Sequence, residues 1–157
     1  MTPKMAIDAG IGMVHQHFML IEPLTVTENI ILGYEEDTGL FLDRKTAREK
    51  ISKLSEEYGL MIDPDARVED ITVGQQQRVE ILKALYRGAD ILIFDEPTAV
   101  LTPQEINEFI EIINKLTKMD KSIIIITHKL AEIKAMADNC TITVSYTHLT
   151  LPTSDLV

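Results

Sequence analysis

The stretch from Ile71 to Thr102, ITVGQQQRVEILKALYRGADILIFDEPTAVLT, constrains the fold more than any other part of the chain. Residues 72–78 (TVGQQQR) are a glycine-containing turn that opens an amphipathic helix. Thr72 and Gln75 stand three apart, the spacing at which a hydroxyl and an amide side chain cap each other's backbone. The helix runs to about Arg87, with Gly88 as its terminator. Ile91 to Phe94 is a run of four apolar residues without alternation, as expected for a strand covered on both faces. Asp95-Glu96-Pro97 then ends that strand in two carboxylates.

The flanking sequence repeats this alternation of strand and helix. Residues 11–15 (IGMVH) are a short strand leading into Gln16. Thr25 and Glu28 have capping-box spacing, so a helix is expected over Val26 to Leu32. Asp43 can cap a longer helix with Ala47, Ile51, Leu54 and Tyr58 on one face, stopped by Gly59. Asp63-Pro64-Asp65 is a turn. Thr102-Pro103-Gln104-Glu105 is a strong helix start, and Ile106, Phe109, Ile110, Ile113 and Leu116 form the apolar stripe of the helix it opens. Ile123 to Ile126 reads as a second buried strand, ended by Thr127-His128. A helix over Lys129 to Ala137 and a strand from Cys140 follow. From the 91–94 strand onward the order β-α-β-α-β implies an α/β fold, a parallel sheet with crossover helices whose functional residues stand at the strands' C-terminal ends. Asp95, Glu96 and His128 all hold that position.

Phosphoryl transfer is mostly positioning and charge neutralisation, and it needs a metal holder, a water activator and phosphate sensors. Asp95 suits a Mg²⁺-side ligand acting through one carboxylate and bound waters. Glu96 suits a general base. Gly74, at the start of a helix, offers an exposed backbone amide where the helix dipole favours an anion. His15 and His17 have no further ligand cluster beside them and read as loop histidines.

Together, the 72–78 and 91–97 motifs closely resemble the signature loop and Walker B segment of ATP-binding-cassette (ABC) ATPases. The resemblance covers about Ala6 to Thr143 and implies a partial cassette, with a helical subdomain over roughly 25–88. It implies ATP and Mg²⁺ as ligands. Asp95 becomes a metal residue, Glu96 the catalytic base, and His128 the switch histidine that senses the γ-phosphate. Gln16, within VHQHF (14–18), matches the Q-loop glutamine, which ligates Mg²⁺ and relays nucleotide state. Thr72, Val73, Gly74 and Gln75 match the signature, with threonine for the usual serine and valine for the first glycine. In ABC dimers this loop contacts ATP held by a second ATPase cassette, as a partner subunit or in tandem. Residues 99–102 (AVLT) lack the aspartate usual in the family's D-loop.

This variant pattern is most similar to sugar and nucleoside importer ATPases served by basic-membrane-protein-type binding lipoproteins. It implies transmembrane permease subunits as direct partners, a substrate-binding lipoprotein as an indirect one, and a peripheral location on the cytoplasmic side of the membrane. Two other readings are a soluble, non-transport ABC ATPase and a non-catalytic remnant. The first is disfavoured because long insertions and basic arms are missing.

Composition agrees with a soluble, cytosolic domain. The chain has 157 residues, 45% hydrophobic and 25% charged, with a formal net charge of −10. That charge argues against nucleic acid as a partner, since phosphate contacts need a basic face. No apolar run approaches the ~18–20 residues of a membrane span. MTPKMAIDAG has no signal-peptide pattern. The single cysteine, Cys140, excludes an internal disulfide.

A phosphate-binding loop needs Gly-x-x-x-x-Gly-Lys before Ser or Thr. Lys45-Thr46 and Lys121-Ser122 lack the preceding glycine, so the resemblance implies that this loop lies upstream of Met1. The polypeptide by itself is then expected to bind MgATP poorly and to hydrolyse it undetectably. Residues 144–157 carry no cassette pattern and read as a non-native tail, which leaves residues 1–143 as the partial cassette.

Overall fold

Three parallel strands in the order β1-β2-β3 frame the first of two units. They are β1 (Ile11–Val14), β2 (Ile91–Asp95) and β3 (Ser122–Ile126). The computed structural model describes residues 2–33, 44–144 and 147–152. Val14 pairs in register with Phe94, and Asp95 with Ile126, so all three C-terminal ends lie along one edge of the sheet. This is the edge at which an open parallel sheet presents its functional loops.

The helices of this unit are α1 (Pro3–Asp8), α2 (Val26–Ile31), α3 (Arg44–Tyr58), α4 (Val73–Tyr86) and α5 (Pro103–Lys118). Three starts form where the sequence places capping boxes. Thr25 caps α2 with Glu28, Thr72 caps α4 with Gln75, and Thr102 caps α5 with Glu105, each pair bonding in both directions. The expected Asp43 cap of α3 lies outside the described residues. Helix α1 is an addition to the sequence reading. Thr2 caps it and Pro3 opens it, the same Thr-Pro start that marks α5.

Apolar burial joins these elements. Leu92 and Phe94 of β2 are fully buried, and the Phe94 ring meets Phe109 of α5 edge-on at 5.4 Å. Ile113 and Leu116 of α5 are also buried, as the stripe requires, with Ile112 beside them. In α3, Ala47 and Ile51 are buried while Leu54 and Tyr58 are half-buried. Ser55 is the unexpected buried residue of that helix, its hydroxyl accepting from the Ile62 amide at 3.0 Å.

Two burial expectations are corrected. Ile91 and Ile93 are only partly buried, so one face of β2 is less covered than its unbroken apolar run suggests. Strand β3 departs further: Ile124 and Ile126 are each 50% exposed. Among the described residues β3 pairs with β2 alone, which leaves it an edge strand with one open face. An apolar run records what a strand can bury; its neighbours decide how much is buried.

The second unit holds α6 (Leu130–Met136) and an antiparallel hairpin of β4 (Asn139–Val144) and β5 (Thr147–Pro152). The strand expected from Cys140 is thus present, but it does not extend the parallel sheet that the alternation implied: it pairs antiparallel with a strand from the stretch without cassette pattern.

Candidate functional site

Helix α4 carries the site on three successive turns. Its cap, Thr72, accepts from the Gln75 amide at 3.3 Å, and the Gln75 side chain accepts from the Thr72 amide at 3.0 Å. One turn in, Gln77 is 2% exposed and its Nε2 donates to the Pro97 carbonyl at 2.7 Å. One turn further, Glu80 is 8% exposed and its Oε1 accepts from the Met19 amide at 2.9 Å. A single helix therefore holds the turn after the Asp95-Glu96 pair and the loop that follows Gln16. Burying Gln77 and Glu80 is tolerable because each finds a backbone partner.

The carboxylate pair is set by the end of β2. Asp95 is the strand's last residue and is half-buried. The Glu96 amide donates to Ile126 O at 2.9 Å, one step beyond the ladder. Glu96 sits at φ +47°, a left-handed conformation that costs a non-glycine residue of order 1–3 kcal/mol and clusters at functional sites. Thr98, 1% exposed, and an Ala99-to-Glu96 backbone bond of 3.2 Å close the turn.

Gln16 follows β1 by two residues and is exposed. Because β1 and β2 end in register, Gln16 and Asp95 lie at the same edge of the sheet. His15 and Met19 border an apolar cavity of about 560 Å³, with Ile7, Met13 and Ile93 on its other walls. The segment beyond is held by Asn29, which is 1% exposed and bonds to both backbone groups of Ile21. His128 belongs to the second unit, exposed in the turn that leads into α6. Beside it, Thr127 Oγ1 accepts from the Lys129 amide at 3.1 Å, and Lys129 pairs with Glu132 at 3.2 Å.

Gly74 differs from expectation. It is buried, and its amide donates to Glu105 Oε1 at 3.1 Å. The amide expected to be open at the signature is occupied by a carboxylate from the first turn of α5. The same carboxylate takes the Thr102 amide and the Thr102 hydroxyl on Oε2, both at 2.9 Å. The Thr102 amide, then the Thr102 hydroxyl, hold the Glu105 carboxyl below its ordinary value against partial burial; the Gly74 amide and Thr72 hydroxyl add to the effect. Val73, in place of a glycine, points outward at 39% exposure.

Among the described residues no group of three or more His, Cys, Asp or Glu could enclose a metal. A Mg²⁺ ion would suit the site nonetheless, since it takes one or two protein carboxylates and completes its shell with waters and phosphate oxygens. Asp95 offers one such carboxylate, and Gln16, on the same edge of the sheet, offers a neutral carboxamide oxygen. No helix among the described residues is long and apolar enough to cross a membrane.

Comparison with known proteins bears on the family and the fold. The ABC transporter family profile matches residues 2–99. The chain is 66% identical over 141 residues to the nucleoside import ATP-binding protein NupA of Lactococcus lactis, covering 90% of this chain and 28% of that protein. It is 60% identical over 123 residues to the guanosine import ATP-binding protein NupO of Bacillus subtilis, covering 78% of this chain and 24% of that protein. The chain thus spans about a quarter of the length of these curated relatives. In fold it is similar to cbiO1 of Clostridium perfringens, part of an ABC transporter complex, with a TM-score of 0.80 at 23% identity over 99% of this chain and 62% of that one. With the α/β cassette fold, the matched profile and these relatives in agreement, the chain belongs to the ABC transporter family.

Proposed function

We propose that this chain is part of the ATP-hydrolysing subunit of an ABC importer, and that its solute is a nucleoside. The observation that carries the assignment is the shared sheet edge, where Asp95 and Glu96 close β2 beside the end of β1 and its Gln16. Glu96 takes a proton from the attacking water as its oxygen bonds to the γ-phosphorus. The bond to the β–γ bridging oxygen breaks, and ADP and phosphate leave. Asp95 and Gln16 would hold Mg²⁺, which neutralises phosphate charge when bound. His128 senses the γ-phosphate. Thr72, Val73, Gly74 and Gln75 face the nucleotide of a second cassette.

Nucleosides are favoured over sugars because the relatives at 60% and 66% identity are named for guanosine and nucleoside import, while a glucose import relative stands at 46%. Transmembrane permease subunits dock on the helical region, roughly 25–88, and on the apolar cavity beside His15 and Met19, which supports a contact of that kind. The protein then works at the cytoplasmic side of the membrane, with a binding lipoprotein delivering the solute.

Uptake of labelled guanosine and labelled ribose tests this in cells carrying the full-length gene. Glu96→Gln is expected to abolish guanosine uptake and leave ribose uptake as it was. Loss of ribose uptake alone would reassign the solute, and unchanged uptake of both would remove the importer role.

A further inference from the structure

We propose that Glu105 is a latch on the signature loop, holding the Gly74 amide with its own carboxylate until a nucleotide phosphate displaces it. The proposal rests on the ATPase function proposed above and goes beyond it by assigning a residue that controls access to the composite site.

The latch has two halves. Oε2 of Glu105 is anchored in the α5 capping box by the Thr102 amide and hydroxyl, each at 2.9 Å. Oε1 reaches across to α4 and takes the Gly74 amide at 3.1 Å. A Cβ at position 74 would stand 2.7 Å from Oε1 and 3.0 Å from Cδ, so this approach depends on glycine there. One turn along, Glu108 of α5 pairs with Arg78 of α4, which keeps the helices together whichever way the latch stands.

A helix N-terminus attracts one anion at a time, and a carboxylate and a phosphate at the same amide repel each other. Releasing Oε1 while Oε2 stays on Thr102 takes a concerted change of the Glu105 side-chain torsions, because a turn about the terminal torsion alone carries both oxygens away. Nucleotide therefore competes with an internal anion, and closure of the composite site draws on the energy needed to displace it.

Substitution separates the halves. Glutamine at the third position of a helix completes a capping box, as Gln75 does with Thr72. Glu105→Gln thus keeps the cap, but its amide nitrogen cannot accept from Gly74. The experiment is steady-state MgATP hydrolysis by the full-length protein that carries this segment, with melting temperature as a check on folding. Glu105→Gln is expected to lower the apparent KM for ATP about threefold to tenfold, the scale of one ordinary, part-buried hydrogen bond lost from the resting state. Glu105→Asp, one methylene too short to span to Gly74, is expected to do the same. Thr102→Ala, which weakens only the anchor, lowers the melting temperature without a matching fall in KM. An unmoved or raised KM in both Glu105 variants, with turnover still dependent on Glu96, overturns the latch alone. Absence of turnover in the unchanged protein, or turnover that survives Glu96→Gln, overturns the ATPase function and the latch with it.

Discussion

Gln77 of α4 donates to the carbonyl of Pro97 at 2.7 Å, and the bond is buried. It ties the helix that begins at the signature loop to the turn directly after the candidate base, Glu96. Glu80, one turn on, ties the same helix to Met19 beyond Gln16. The turn after the proposed base and the loop after Gln16 are thus both held by one helix.

Gln77→Ala removes the partner of a buried carbonyl. Leaving such a group unsatisfied costs about 1–3 kcal/mol. Urea unfolding should show a lower midpoint with an unchanged slope; a midpoint equal to that of the original chain would mean that water replaces the side chain.

Asn29→Ala should be at least as damaging, although Asn29 lies far along the sequence from the carboxylates. Its Oδ1 accepts from Ile21 N at 2.7 Å, and its Nδ2 donates to Ile21 O at 3.0 Å and Thr25 O at 3.1 Å. A loss of about 2–3 kcal/mol is expected, with faster amide exchange at Ile21. Unaltered exchange there would show that the loop is held by other contacts.

Gly12→Ala probes the fit of β1 against α4. The added Cβ would lie 2.8 Å from Ala84 Cβ and 3.0 Å from Ala89 Cβ, neither of which can swing away. Overpacking of this kind costs about 1–3 kcal/mol. A melting temperature at or above the original would mean that β1 can shift to make room.

Acid should weaken the fold through three carboxylates. Glu28 is lowered from its ordinary 4.5 mainly by the Thr25 amide, Asp65 from 3.8 by its bonds to Arg48, and Glu105 from 4.5 mainly by the Thr102 amide. A depressed folded value means that the unfolded chain binds the proton more readily. The stabilisation is therefore complete above about pH 5 and is lost as pH falls through the lowered values. Asp65→Asn should bring stability at pH 7 nearer to that at pH 3, as read by urea midpoints. An undiminished acid loss would exclude Asp65 as a contributor.

Capping was legible in the sequence because its partners are three residues apart. Thr25 with Glu28, Thr72 with Gln75 and Thr102 with Glu105 all form as read. The alternation of strand and helix from residue 91 onward pointed to a parallel sheet, which β2 and β3 form. The strand from Cys140, counted in the same alternation, instead pairs antiparallel with β5, and the place of β1 beside β2 was not legible. Long-range partners were not legible. Nothing local marks Gln77 or Glu80 as buried, because a polar side chain on a helix normally faces water. Glu105 was visible as a cap, but its second oxygen reaches Gly74, 31 residues away. The exposure of Ile124 and Ile126 was hidden for a related reason, since burial belongs to the neighbours of a strand and not to its own composition. Thr2-Pro3 was a readable start for α1, identical in kind to Thr102-Pro103.

The most direct measurement is MgATP turnover by the purified full-length protein with Glu96 intact and with Glu96→Gln, alongside equilibrium binding of ATP. A base that accepts the proton of the attacking water contributes about 10²–10⁴-fold. The expected result is a fall in turnover of that size with ATP binding preserved. Turnover within about twofold of the original, below the range set by general-base catalysis, would contradict the assignment of Glu96 and the hydrolytic site built around it.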